Sequence, residues 1–67
     1  MDVPGLSTSG IRLMHDAILK RLAEEDAMPA DQPKEYGVRE HADFKELCDR
    51  FEAELTVRNE PHQKAPW

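Results

Sequence analysis

Large apolar side chains recur at helical spacing in two stretches of the chain, and the second, DFKELCDRFEAEL at residues 43–55, is the more regular. Phe44, Leu47, Cys48, Phe51 and Leu55 fall within about 100° of one another when each residue turns the helix by about 100°. In the first stretch Ile11, Met14, Ile18 and Leu22 fall within roughly 80°, with Leu13, Ala17 and Leu19 on the flanks, so its apolar surface is wider. The two patterns predict amphipathic helices over about 10–27 and 41–59.

The punctuation between them is consistent with this. Residues 1–9 contain Pro4, Gly5 and the run Ser7, Thr8, Ser9, a flexible segment from which any of the three hydroxyls can cap the first helix. Pro29 stops that helix, and residues 28–38, MPADQPKEYGV, hold two prolines and a glycine and continue neither helix. Within this loop Tyr36 and Val38 are out of place in water, and one of them is expected to fold back. Asp43 with Glu46 matches a capping box for the second helix. The tail 60–67, EPHQKAPW, is expected to be extended or disordered unless Trp67 docks.

The fold class is therefore all-α: one small domain, 1–67, built as a helical hairpin with a long proline-containing loop. Helices of about 17 residues are each near 25 Å long and match one another. A two-helix hairpin leaves one side of each stripe uncovered, and a domain this small buries only about 60% of the surface its unfolded chain exposes. One cysteine, Cys48, rules out an internal disulfide and a cysteine-rich zinc site. Closure by a second copy, giving a four-helix bundle, is the simplest remedy. The residues expected at such an interface are Ile11, Met14, Ile18, Leu22 and Tyr36 from the first half of the chain. Phe44, Leu47, Phe51, Leu55 and Trp67 complete the set from the second half.

Charge narrows the partners. The net charge is −5. Arg12, Lys20 and Arg21 against Asp2 and Asp16 leave residues 1–23 at +1, so the remainder carries −6. An acidic chain is repelled by phosphate backbones, so no nucleic acid is expected as partner. No apolar run approaches the roughly 18 residues of a membrane span, no secretory leader pattern opens the chain, and the unpaired thiol suits the cytoplasm, where the protein is expected.

Candidate chemistry is sparse. His15, His41 and His62 are separated by 26 and 21 residues, and His41 from Cys48 by 7, which matches no metal motif. These histidines read as surface or stripe-edge residues, Cys48 as a small core thiol. GLSTSG has the glycine spacing of a phosphate loop at Gly5 and Gly10, but Ile11 and Arg12 stand where lysine and a hydroxyl are required, so a capping turn explains it. Glu24, Glu25 and Asp26 read as a solvated, fraying helix end, or more sharply as a contact for a basic partner. No catalytic residue, cofactor or metal site is expected. The function that needs only what is visible is a small acidic protein–protein interaction module, a homodimer or an accessory subunit of a larger complex, without catalysis of its own. The alternatives are a small helix-turn-helix regulator, which needs a basic recognition helix and a short turn, or a metal-binding or enzymatic site formed only at a dimer interface.

Overall fold

The computed structural model describes residues 1–67 and contains a 3-10 turn, Val3–Gly5, followed by helices α1, Thr8–Asp26, and α2, Ala42–Val57. It is all-helical, without strands, and α1 packs against α2. The pairing is antiparallel: Arg58, just after α2, bonds Thr8 at the start of α1, and His15 meets Glu52 one to two turns further along.

The helix ends follow local chemistry. Of the three candidate hydroxyls it is Ser7 that caps α1, its Oγ accepting from the Gly10 amide at 3.0 Å, so the helix begins two residues earlier than the apolar pattern suggests. The capping box expected at Asp43 and Glu46 does not form. His41 is the N-cap of α2, without a side-chain bond, and Asp43 lies inside the first turn, where its charge complements the helix dipole. α2 ends at Val57 rather than near 59 because Asn59 adopts a left-handed φ of 58°. Its amide bonds Thr56 O at 3.0 Å and the Glu60 amide bonds Leu55 O at 2.9 Å, the paired reverse bonds of a Schellman ending.

Two helices alone do not enclose this core. Ile11, Ile18 and Leu22 of α1 meet Cys48, Phe51 and Leu55 of α2, and the remaining core residues come from outside the helices: Val3 from the N-terminal turn, Val38 from the loop and Ala65 from the tail. Phe51 and Ile11 are fully buried within one chain. Leu6, Met14, Leu19, Phe44, Leu47 and Trp67 pack around the core half-buried. Of the two loop residues singled out from the sequence, Val38 folds in, while Tyr36 stays exposed with the Arg21 guanidinium 5.3 Å from its ring centre.

Charged side chains pin each non-helical segment by its backbone. Glu25 is buried at the end of α1, where its carboxylate accepts the amides of Tyr36 at 2.8 Å, Gly37 at 3.3 Å and Val38 at 2.8 Å. Gly37 has a φ of +60°, which turns its amide toward the carboxylate alongside those of its two neighbours and which a side chain would strain. Asp26 pairs with Arg39 at 2.8 Å, and Arg39 also donates to the carbonyls of Pro66 and Trp67. Glu24 pairs with Arg21 at 2.9 Å. The acidic run is thus not a fraying end: tertiary partners hold Glu25 and Asp26 against the unfavourable dipole, and Glu24 pairs within α1. At the opposite pole Arg58 donates to Pro4 O, Leu6 O and Thr8 Oγ1 while holding Glu54 at 2.8 Å. On α2 the Lys45–Asp49 and Glu54–Arg58 pairs form at four-residue spacing, and Arg50 donates to Met1 O at 2.7 Å.

Two outcomes follow. Arg58→Ala removes charge-assisted bonds to the N-terminal segment and should cost about 1.5–3 kcal/mol in urea denaturation, with Arg58→Lys restoring only part, because a single ammonium does not span the donor positions of a guanidinium. The three amide bonds, led by that from Val38, hold the Glu25 carboxyl below its ordinary value of 4.5. A lowered folded-state value contributes stability that is present above the unfolded value and is lost as pH falls through the folded one. The melting temperature should therefore drop below pH 4.5, and Glu25→Gln should be less stable at neutral pH with a shallower fall in acid.

Candidate functional site

His15 follows Ile11 by four residues on α1, and Glu52 follows Cys48 by four on α2, so each pair spans about one turn on the core side of its helix. Antiparallel packing then brings the three polar groups to one point. His15, Cys48 and Glu52 are 2%, 0% and 6% exposed. His15 Nε2 lies 2.9 Å from Glu52 Oε2, the Cys48 thiol donates to the same oxygen at 3.4 Å, and the Ala65 amide of the tail donates to it at 2.9 Å. An ionised carboxylate only accepts, so His15 carries a proton on Nε2 and the cluster is a three-donor cradle around one oxygen. His15 is therefore neither on the surface nor on the edge of the stripe, as its sequence position suggested, but inside the core.

The environment sets the protonation of the two acids. Burial by itself raises the Glu52 carboxyl, but the bonds from His15, the Ala65 amide and Cys48 together prevail and hold it below its ordinary value of 4.5. The Cys48 thiol is pushed up to about 12 from an ordinary 9.0, by burial first and then by its bond to the anionic Glu52. Among histidine, cysteine and acidic groups, one ligand atom from each of these three residues lies within 4.8 Å of the others, and they are the residues able to hold a metal ion. A nucleophilic role does not fit: the sulfur is sealed from solvent and protonated.

The tail covers this side of the hairpin. The His62 ring stands edge-on to that of His15, with centroids 6.2 Å apart, and its Nδ1 donates to Glu60 O at 3.0 Å. Glu52, His62, Ala65 and Trp67 line a groove together with Lys45, Asp49 and Lys64, and the Trp67 indole N–H is buried there without a partner.

The opposite side of the hairpin is apolar and less covered. Ala17, Ile18, Tyr36, Val38 and Phe44 line a groove edged by Arg21. Met14, three before Ala17, and Leu47, three after Phe44, extend this strip by helical spacing, and both are half-buried. The ten residues expected at an interface thus divide by exposure. Ile11, Ile18, Leu22, Phe51 and Leu55 are buried in the chain's own core. Met14, Phe44, Leu47 and Trp67 are partly exposed and Tyr36 is exposed, and all but Trp67 belong to the uncovered side.

Spacing along the chain did not reveal the buried cluster, because His15 and Glu52 are 37 residues apart. A usable signal was present: a histidine in phase with one stripe and a glutamate four residues from the cysteine of the other. With the thiol at about 12 against 9.0, the thiolate fraction at neutral pH falls about a thousandfold. A thiolate of higher pKa is intrinsically more nucleophilic, which offsets part of this, so Cys48 should react with a disulfide reagent at least about tenfold more slowly in the folded chain than in denaturant, as followed by absorbance.

Compared with family models, curated proteins and solved structures, the chain matches none.

Proposed function

We propose that the protein is a small acidic protein–protein interaction module that acts as a homodimer and has no catalysis of its own. The observation that carries this reading is the apolar groove of Ala17, Ile18, Tyr36, Val38 and Phe44 on the side of the hairpin that the loop only partly covers. The opposite side is covered by the tail through Ala65 and Trp67. An unclosed apolar strip on a domain this small favours association.

A second copy suits the strip better than a generic partner because the charge is divided between the helices. Arg21, four after Ala17, edges the groove on α1, and Asp43, four before Leu47, is exposed on α2 in helical phase with the strip. A two-fold arrangement that sets α1 of one chain against α2 of the other places opposite signs together at both rims and shields Met14, Phe44 and Leu47. The absence of catalysis rests on the same geometry: the groove is apolar, with no converging polar groups, and the thiol is inaccessible. A helix-turn-helix reading is disfavoured by the segment 27–41 between the helices, which is far longer than a turn, and by the acidic second helix.

Sedimentation in the micromolar range should give twice the chain mass. Phe44→Glu should give a monomer that keeps its helical circular dichroism. A wild-type monomer over the whole range, with Tyr36 and Phe44 resonances that do not move with concentration, would overturn the proposal.

A further inference from the structure

The cluster His15, Cys48 and Glu52 offers one imidazole nitrogen, one sulfur and one carboxylate oxygen from two rigid helices, with a ligand atom from each within 4.8 Å of the others. We propose that these three residues form a Zn2+ site inside a single chain, with a fourth position directed to the tail-covered groove that Glu52 and His62 line. This is independent of self-association through the opposite face.

Three features support the assignment. The first is spacing. Tetrahedral zinc with ligand bonds of about 2.0–2.3 Å separates its ligand atoms by roughly 3.3–3.6 Å. The Cys48 Sγ to Glu52 Oε2 distance is 3.4 Å, the His15 Nε2 to Oε2 distance is 2.9 Å, and all three ligand atoms lie within 4.8 Å of one another, so side-chain adjustment about a cluster already gathered at one point admits the ion. The second is donor chemistry. A sulfur and an imidazole beside one carboxylate suit zinc, whereas magnesium and calcium require oxygen ligands. The third is charge. Zn2+ displaces the thiol proton of Cys48 to solvent and the Nε2 proton of His15 to its other nitrogen. One dication then faces one thiolate, one carboxylate and a neutral imidazole, so the buried centre has no net charge.

The tail provides access and a consequence. Its hold on the site is the Ala65 amide bond to Glu52 at 2.9 Å and the edge-on contact of His62 with His15. The Ala65 amide stays on the ligating carboxylate as an orienting hydrogen bond, of the kind that fixes metal ligands in place. The tail and the ion therefore share one oxygen of Glu52, which couples metal binding to the position of the tail.

The test uses the full chain, reduced, with Zn2+, Co2+ and Mg2+ as probes. Calorimetry should show one Zn2+ per chain with release of one proton, no uptake of Mg2+, and a raised melting temperature with zinc. Co2+ should produce thiolate-to-cobalt charge-transfer absorption in the wild type, a readout that needs no variant. Cys48→Ser should abolish that absorption and weaken zinc about a hundredfold or more while retaining helical circular dichroism, and His15→Gln should weaken zinc similarly. Absence of stoichiometric uptake, or Zn2+ affinity unchanged in Cys48→Ser, would overturn the site. Half an equivalent per chain with doubling of the mass only on metal addition would overturn its placement within one chain.

Discussion

The structure depends on one constraint: two helices of this length shield each other along a single seam, so the rest of the core must be covered by segments that have no helical hydrogen bonds of their own. Such segments bring unsatisfied amides and carbonyls with them. The chain meets this with side chains of matched polarity. Carboxylates take amides, Glu25 from residues 36–38 and Glu52 from Ala65. Guanidiniums take carbonyls, Arg58 from Pro4 and Leu6, Arg39 from Pro66 and Trp67, and Arg50 from Met1. With these anchors in place, Val3, Val38 and Ala65 reach the core and complete it.

The same device explains why the centre of so small a core contains charge. Glu52 occupies a position where an apolar residue would pack, and burial alone disfavours its ionised form. Three donors converge on one of its oxygens, and one of them is the tail amide that must be positioned for Ala65 to be buried. The cluster therefore joins α1, α2 and the tail at a single atom. The group that holds the tail is also one of the three proposed ligands, so metal occupancy and the position of the tail are physically linked.

The two sides of the hairpin contrast for a physical reason. On the His15 side the chain has residues to spare after α2, and they return along the helices. On the Phe44 side only the loop is available, and the Glu25 anchor directs Val38 inward while leaving Tyr36 outside against Arg21. The strip beside Phe44 is what the loop leaves uncovered.

By itself the sequence determined the helices and their inward faces. From the two stripes, Ile11, Ile18 and Leu22 with Cys48, Phe51 and Leu55 form the helical part of the core while Met14, Phe44 and Leu47 are only partly buried, because amphipathic periodicity is a local property and the side chains that must leave water lie on one face. It also marked Tyr36 and Val38 as loop residues of special interest, without deciding between them. The tertiary structure alone decided what covers the stripes and which polar residues share a site. His15 and Glu52, or Glu25 and the amides of 36–38, are separated in sequence, and helical phase turns His15 and Glu52 inward without naming them as partners. Their meeting depends on antiparallel packing and on the three-dimensional demand of each buried charge for donors, which no local pattern encodes.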